Sequence, residues 1–228
     1  MNESPPPFAP PTVSTGSDRG VARLLAVGDI HGCRRQLKTL LDLVAPTADD
    51  QLVFLGDYID RGPDSAGVID DLIELRERLP NTVLLRGNHE QMLLDVLQGA
   101  DPTTFLVNGG GRTMAGYRGR GQWPPPPEHL AFYRQLPVCH ITERFVFAHA
   151  GLRPGRPAAV QQPDDLLWIR GEFLDSDAEW GKTVVFGHTP REQPLLAVTR
   201  IGLDTGCVYG GRLTCCDVLS RRYWQARD

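Results

Sequence analysis

The stretch RLLAVGDIHG, Arg23 to Gly32, decides how this chain is read. Its apolar part belongs to VARLLAV (Val21 to Val27), a run of buried-strand length that stops at Gly28; the length and the stop count for more than periodicity. At the carboxyl end of that strand stand Asp29 and His31, two residues apart. Alone, the pair admits three readings: a turn, a proton-transfer pair, or half of a metal shell. The choice depends on whether the rest of the chain supplies the other half.

Working outward, CRRQLKTLLDLV sets Leu37, Leu40, Leu41 and Val44 at helical spacing, and Pro46 closes the element. QLVFLG is a second strand, followed by the loop DYIDRGPDS and a helix whose apolar face is Val68, Ile69, Leu72, Ile73, Leu75 and Leu79. NTVLLRG repeats the strand, and HEQMLLDVL starts another helix almost at once. Three strand-loop-helix units predict a layered α/β fold with ligand groups at the carboxyl ends of its strands, brought to one edge by right-handed crossovers.

From Ile141 the pattern turns to strands: RFVFAHAG, KTVVFGHTP, PLLAVTRIGLDTG and GRLTCCDVLS. Weak alternation in FVFAHA and VVFGH is that of central strands buried on both faces, so a second sheet stacked on the first, with helices outside, is expected. The intervening Leu106 to Leu130 is rich in glycine and then proline and reads as a mobile or irregular connection. Within its end, PEHLAFYRQL is a short amphipathic helix, expected as a lid or edge element.

With 228 residues, 41% of them hydrophobic, the chain has material for one sizeable core. A single domain over residues 21–228 is expected, preceded by a flexible tail over 1–20 that carries five prolines. Charged residues are 23% of the chain and the net charge is -4, which provides no field for nucleic acid or a membrane surface. No run approaches the ~20 apolar residues that span a bilayer. The first residues lack the basic start and apolar region of an export signal, so a cytoplasmic protein is expected. Five cysteines, an odd number without CxxC spacing, read as free thiols of a reducing compartment. Adjacent Cys215 and Cys216 lie on opposite faces of a strand, so at most one is expected to point into the core.

The later strands answer the opening question. GDYIDRG presents Asp57, Asp60 and Arg61; RGNHE presents Arg86, Asn88 and His89; FAHAG and VFGHTP present His149 and His188. Four of the six histidines fall at such ends, which favours a shared site over separate turns. A pair of divalent ions accounts for the set, with Asp29, His31, Asp57, Asn88, His149 and His188 as donors. Imidazole and carboxylate suit manganese, iron or zinc better than calcium. One carboxylate must bridge to hold two ions roughly 3.5 to 4 Å apart. Asn88 would have to coordinate through its neutral carbonyl oxygen, leaving the site more positive, which is useful if the substrate is a phosphate ester. Arg61, Arg86 and Arg170, the last ending LLWIR, offer planar forks for phosphate oxygens.

Together, GDIHG, GDYIDRG, RGNHE, HAG, GHTP and LDTG resemble the phosphoprotein phosphatase branch of the calcineurin-like metallophosphoesterases, from about Leu24 to Leu219. The resemblance implies a four-layer α/β fold, a central β-sandwich flanked by helices, with a dinuclear site above the sheet edges. It implies that Asp29, His31 and a bridging Asp57 hold one ion, and Asp57, Asn88, His149 and His188 the other. His89 corresponds to the general acid, Asp60 to its partner, and Arg61 and Arg170 to the phosphate-binding arginines. Ala150 replaces the second residue of the more usual HGG, a change of one methyl. Asp204 and Gly206 of LDTG either support the shell or form a local turn.

LLWIR and LDTGCVYGGRLT are more similar to bacterial members, which include protein phosphatases and symmetrical diadenosine tetraphosphatases. The expected function is hydrolysis of phosphoserine and phosphothreonine monoesters in proteins or peptides by direct attack of a water activated by two divalent ions. Manganese is expected first, with iron or zinc as alternatives; phosphotyrosine and small phosphate esters are possible further substrates. One alternative is a symmetrical diadenosine tetraphosphate hydrolase in which Trp123 and Tyr117 stack on a base. Another is a non-catalytic phosphate-binding or protein-interaction module, against which the unbroken ligand set argues.

Overall fold

The computed structural model describes residues 12–227. Its first half holds β1 (Val13–Thr15), β2 (Leu24–Val27), α1 (Arg34–Val44), β3 (Gln51–Phe54), α2 (Ser65–Arg78), β4 (Thr82–Leu84) and α3 (Asn88–Leu97). A helical connection follows: α4 (Thr103–Phe105), a π-turn over Leu106–Gly110, α5 (Gly111–Gly119) and α6 (Pro127–Gln135). The second half holds β5 (Cys139–Ile141), β6 (Phe145–Ala148), α7 (Pro163–Trp168), α8 (Gly171–Leu174), β7 (Thr183–Phe186), β8 (Leu195–Leu196), β9 (Arg200–Gly202), β10 (Leu213–Asp217) and β11 (Arg222–Ala226). The strands make two mixed sheets, ordered β11-β10-β2-β3-β4 and β1-β5-β6-β7-β9-β8.

Period-two alternation sorts the buried runs into three cores. Leu25 and Val27 of β2, with Leu52 and Phe54 of β3, face α1, α2, α3 and α6. Their neighbours Leu24, Ala26 and Val53 meet Phe145, Phe147, Val185 and Ile201 of the other sheet. Val146, Ala148, Val184 and Phe186 pack outward on Leu166, Leu167 and Phe173 of α7 and α8. Helices, sheet, sheet, helices: the four layers follow from strands with two apolar faces.

The same geometry corrects the reading of Cys215 and Cys216. Both are buried, Cys215 in the helix-facing core and Cys216 between the sheets, because β10 lies inside the sandwich. Burial pushes both thiols up, Cys215 well above the ordinary thiol range and Cys216 to about 12.

Three further expectations change. The glycine-rich connection is largely helical: Gly109, at φ +97°, turns the chain, and Gly110 lies where a Cβ would stand 2.5 Å from the Phe105 ring. Phe132 and Tyr133 bury α6 in the helix-facing core, so it is a packed element and not a lid. At the amino end, β1 pairs in parallel with β5, and buried Asp18 accepts hydrogen bonds from Thr142 Oγ1 (2.8 Å) and the Arg144 amide (2.9 Å). Residues 13–18 are therefore part of the fold; the first eleven residues of the expected tail lie outside the described residues. Among the described residues no helix is long and apolar enough to cross a membrane.

Candidate metal centre

In one sheet β2, β3 and β4 run parallel, and in the other β6, β7 and β9 do so. Their carboxyl ends deliver Asp29 and His31, Asp57 to Arg61, Asn88 and His89, His149, His188 and Asp204. The turns are sharp: His31, Asp57, Asp60, Arg61 and His188 all have φ between +47° and +74°, a region costly to side-chain-bearing residues. Two close approaches explain the glycines. A Cβ on Gly62 would stand 1.9 Å from the His31 carbonyl oxygen, and one on Gly87 would stand 2.1 Å from Asp57 Oδ1.

On one side of Asp57, His149 donates from Nδ1 to the Leu55 carbonyl at 2.8 Å, which turns Nε2 inward. That nitrogen lies 2.9 Å from Asn88 Oδ1, 3.1 Å from His188 Nδ1 and 3.4 Å from Asp57 Oδ1. His188 Nδ1 is also 3.1 Å from Asn88 Oδ1. An amide oxygen, a carboxylate and two imidazole nitrogens thus point at one another, an arrangement of electron-pair donors that only positive charge reconciles.

On the other side, His31 donates from Nδ1 to the Ile59 carbonyl at 2.8 Å and turns Nε2 toward Asp57 Oδ2 at 3.4 Å. Arg61 Nη1 donates to this Nε2 at 2.6 Å. The His89 ring stands edge-on to His31, centroids 4.6 Å apart. Its Nδ1 is 2.6 Å from Asp60 Oδ2. Its Nε2 is buried 3.8 Å from Asp57 Oδ2, with no hydrogen bond among the described residues.

Burial amplifies these charges. Burial raises Asp29 well above the usual carboxylate range, and neighbouring Asp204 adds to it. Asp204 is lifted to about 6 by burial, with Asp57 contributing. Burial opposes the charge on Asp57 as well, but His149, His89 and His31 outweigh it and hold this carboxyl well below its ordinary value. His149 loses stability as a cation by burial, yet Asp57 and Asp29 carry it up to about 9. Burial takes His31 down to about 3 and His188 to about 2. The buried carboxylates and inward nitrogens fit divalent cations: those charges supply the positive counterpart that the donor set otherwise obtains from a proton on His149. Two donor groups share Asp57, one with His31 and His89 and one with His149 and His188.

Asp29 lies outside both groups; its two oxygens accept from the His188 amide at 3.1 Å each, so it braces the turn that carries His188. Arg170, at the start of α8, reaches Thr189 Oγ1 at 3.3 Å on the His188 side. Arg86 is a correction. Its guanidinium donates to Gln91 Oε1 (2.8 Å) and the Arg134 carbonyl (3.2 Å), tying α6 to α3 instead of facing phosphate. Tyr117 is another: it is fully buried, bonded to His129 Nδ1 (2.7 Å) and Tyr133 (2.9 Å), and presents no face for stacking. Trp123 is partly buried against the same core.

Two contributors escaped the sequence reading. Thr113 of α5 donates from Oγ1 to Asp60 Oδ1 at 2.6 Å, on the side opposite His89. Glu90, fully buried, accepts from the amides of Gly87 (2.9 Å), Asp57 (2.9 Å) and Tyr58 (2.8 Å), joining the turns that carry the candidate ligands Asp57 and Asn88; burial lifts its carboxyl to about 7, with Asp57 adding. Glu90 stood in view within RGNHE; an isolated threonine in a glycine-rich stretch carries no such signal.

The four layers and the strand-end donor set define a phosphoesterase architecture. The chain belongs to the calcineurin-like phosphoesterase family, whose pattern it matches over residues 22–222. It is 36% identical over 203 residues to serine/threonine-protein phosphatase 1 of Salmonella typhimurium LT2, covering 82% of this chain and 88% of the relative. It is 29% identical over 221 residues to the asymmetrical bis(5'-nucleosyl)-tetraphosphatase of Geobacillus thermodenitrificans NG80-2, covering 82% and 87%. A solved structure proposed to be a diadenosine tetraphosphatase superposes with a TM-score of 0.72 at 29% identity, covering 95% of this chain and 98% of that one. The fold is also that of a cold-active protein-tyrosine phosphatase of Shewanella sp., with a TM-score of 0.65 at 18% identity, covering 95% and 82%. The family uses divalent metals, and the clustered histidines and aspartates are its candidate ligands here.

Proposed function

We propose that this phosphoesterase hydrolyses phosphoserine and phosphothreonine monoesters in proteins or peptides. The observation that carries the choice is the buried His89–Asp60 pair, 2.6 Å apart, at the edge of the donor cluster. A serine or threonine alkoxide is a strong base and leaves slowly unless protonated, whereas the leaving group of a phosphate anhydride needs no such help. Asp60 Oδ2 accepts from Nδ1 of His89 and fixes the ring, so a proton carried on Nε2 can pass to the departing oxygen.

In this reading Asp57, His149, His188, Asn88, Asp29 and His31 hold the metals. When bound, two divalent cations provide Lewis acidity toward the phosphoryl oxygens and acidify a water to serve as nucleophile. Arg61 and Arg170 flank the cluster from opposite sides and orient the phosphate through charge-assisted hydrogen bonds. Cytoplasmic action and a preference for manganese over iron or zinc belong to the same proposal.

The second reading, hydrolysis of a dinucleoside tetraphosphate, draws support from the tetraphosphatase relatives and from Tyr209. This ring is 64% exposed and lies beneath Arg61, 5.7 Å from ring centroid to guanidinium carbon, where a base could stack. Parallel turnover of a phosphoserine peptide and diadenosine tetraphosphate, by enzyme reconstituted with each metal in turn, separates the readings. The peptide is expected to be the better substrate; rapid loss of the dinucleotide alone would reverse the assignment.

A further inference from the structure

Beside the centre lies a cleft of about 790 Å³, bounded by α1, the turn after β3, the start of α5 and the Cys207–Gly210 segment. Five cationic side chains line it, Arg34, Arg35, Lys38, Arg61 and Arg112, against two acids, Asp42 and Asp64. The excess is local, since the whole chain carries a net charge of -4. Arg34 is already committed, 2.8 Å from Asp71 and 3.2 Å from Asp64.

Lys38, Arg61 and Arg112 are less neutralised. Lys38 has only a 3.8 Å approach to Asp71. Arg61 contacts His31, and among the described residues neither it nor exposed Arg112 forms an ion pair. Arg61 joins the cleft to the centre, while Arg112 immediately precedes Thr113, whose hydroxyl is anchored on Asp60. The cleft thus continues from the proposed phosphate position, and its available charge is cationic.

Resting on the phosphopeptide reading above, we infer that this cleft is an anion subsite for an acidic side chain next to the phosphorylated residue, with Arg112 and Lys38 as its recognition cations. Arg34 and Lys38 are four residues apart on α1, a rise of about 6 Å, so the cationic wall runs along the cleft instead of forming a single point. The uncommitted charge of Lys38 and Arg112 matches an acidic peptide side chain, while a nucleobase competing for the site would stack beside the cleft on Tyr209, under Arg61.

The test uses metal-loaded enzyme and two phosphoserine peptides that differ only in glutamate or alanine flanking the phosphoserine. The acidic peptide is expected to have the higher kcat/KM by about five- to tenfold, a preference that shrinks with added salt. The ratio should fall severalfold in R112A, less in K38A, and be largely retained in R112K. Equal turnover of the two peptides by the unmodified enzyme, or an unchanged ratio in R112A, overturns the subsite. Hydrolysis of p-nitrophenyl phosphate without either peptide overturns the phosphopeptide reading itself. A loss in R112A confined to diadenosine tetraphosphate assigns the cleft to a phosphate chain and overturns the peptide assignment.

Discussion

The two sides of the candidate centre share Asp57 but settle their charge differently. Around His149, the amide oxygen of Asn88, His188 Nδ1 and Asp57 converge with no arginine or lysine hydrogen-bonded among them in the described residues. Around His31, the guanidinium of Arg61 donates directly to the inward nitrogen at 2.6 Å. The first side is prearranged for a cation. On the second, a metal must compete with an arginine that the proposed phosphate binding also uses. Two ions with unequal affinity are the expected consequence, and the difference suggests that occupancy of the His31 side is linked to where Arg61 points.

The shared ligand offers the largest test. Asp57→Asn removes the carboxylate charge common to both sides and should lower turnover roughly 10³-fold, with fewer than two ions retained after dialysis and elemental analysis. Unchanged stoichiometry and activity would reject the shared role. Next comes His89→Ala, which leaves the His149 side intact: turnover of an alkyl phosphate should drop about 10²–10⁴-fold, while an activated aryl phosphate loses much less. Equal losses for both leaving groups would count against His89 as acid.

Smaller effects probe the support of each side. Thr113→Val deletes the donor to Asp60 Oδ1 and should reduce kcat by about tenfold with KM little altered, and Thr113→Ser should restore most of it. A valine variant that matches the parent would show that Asp60 is held adequately by His89 alone. Arg61→Ala should tighten the weaker metal site by a few fold while raising KM for phosphate substrates. Calorimetric titration of metal into apo protein reads the first effect, and two equal affinities in the parent would dissolve the asymmetry between the sides.

Much of this centre was legible in the chain because its donors sit at a repeated address, the residue or two after an apolar run. The candidate donors Asp29, His31, Asp57, Asn88, His149 and His188 were all picked out that way, although Asp29 lies outside both donor groups. Other groups were not, for physical reasons particular to each. Arg86 follows its strand as Arg61 does, yet carbonyls on α6 capture its guanidinium. Tyr117 lies amid glycines, but its hydroxyl finds His129 and Tyr133 and the ring goes inward. Val13–Thr15 form an edge strand through pairing with residues more than a hundred positions away, a partner that local composition does not announce.

By itself, then, the amino-acid order determined the layered α/β class, the strand ends that carry chemistry and the residue types available there, because apolar periodicity and glycine-bounded turns are local properties. Tertiary structure alone decided that Arg61 rather than Arg86 faces His31, that Thr113 backs Asp60, and that cations from α1 and α5 border one cleft. Side-chain direction in a turn is set by whichever remote donor, acceptor or apolar surface packs against it, and that partner exists only once the sheets have stacked.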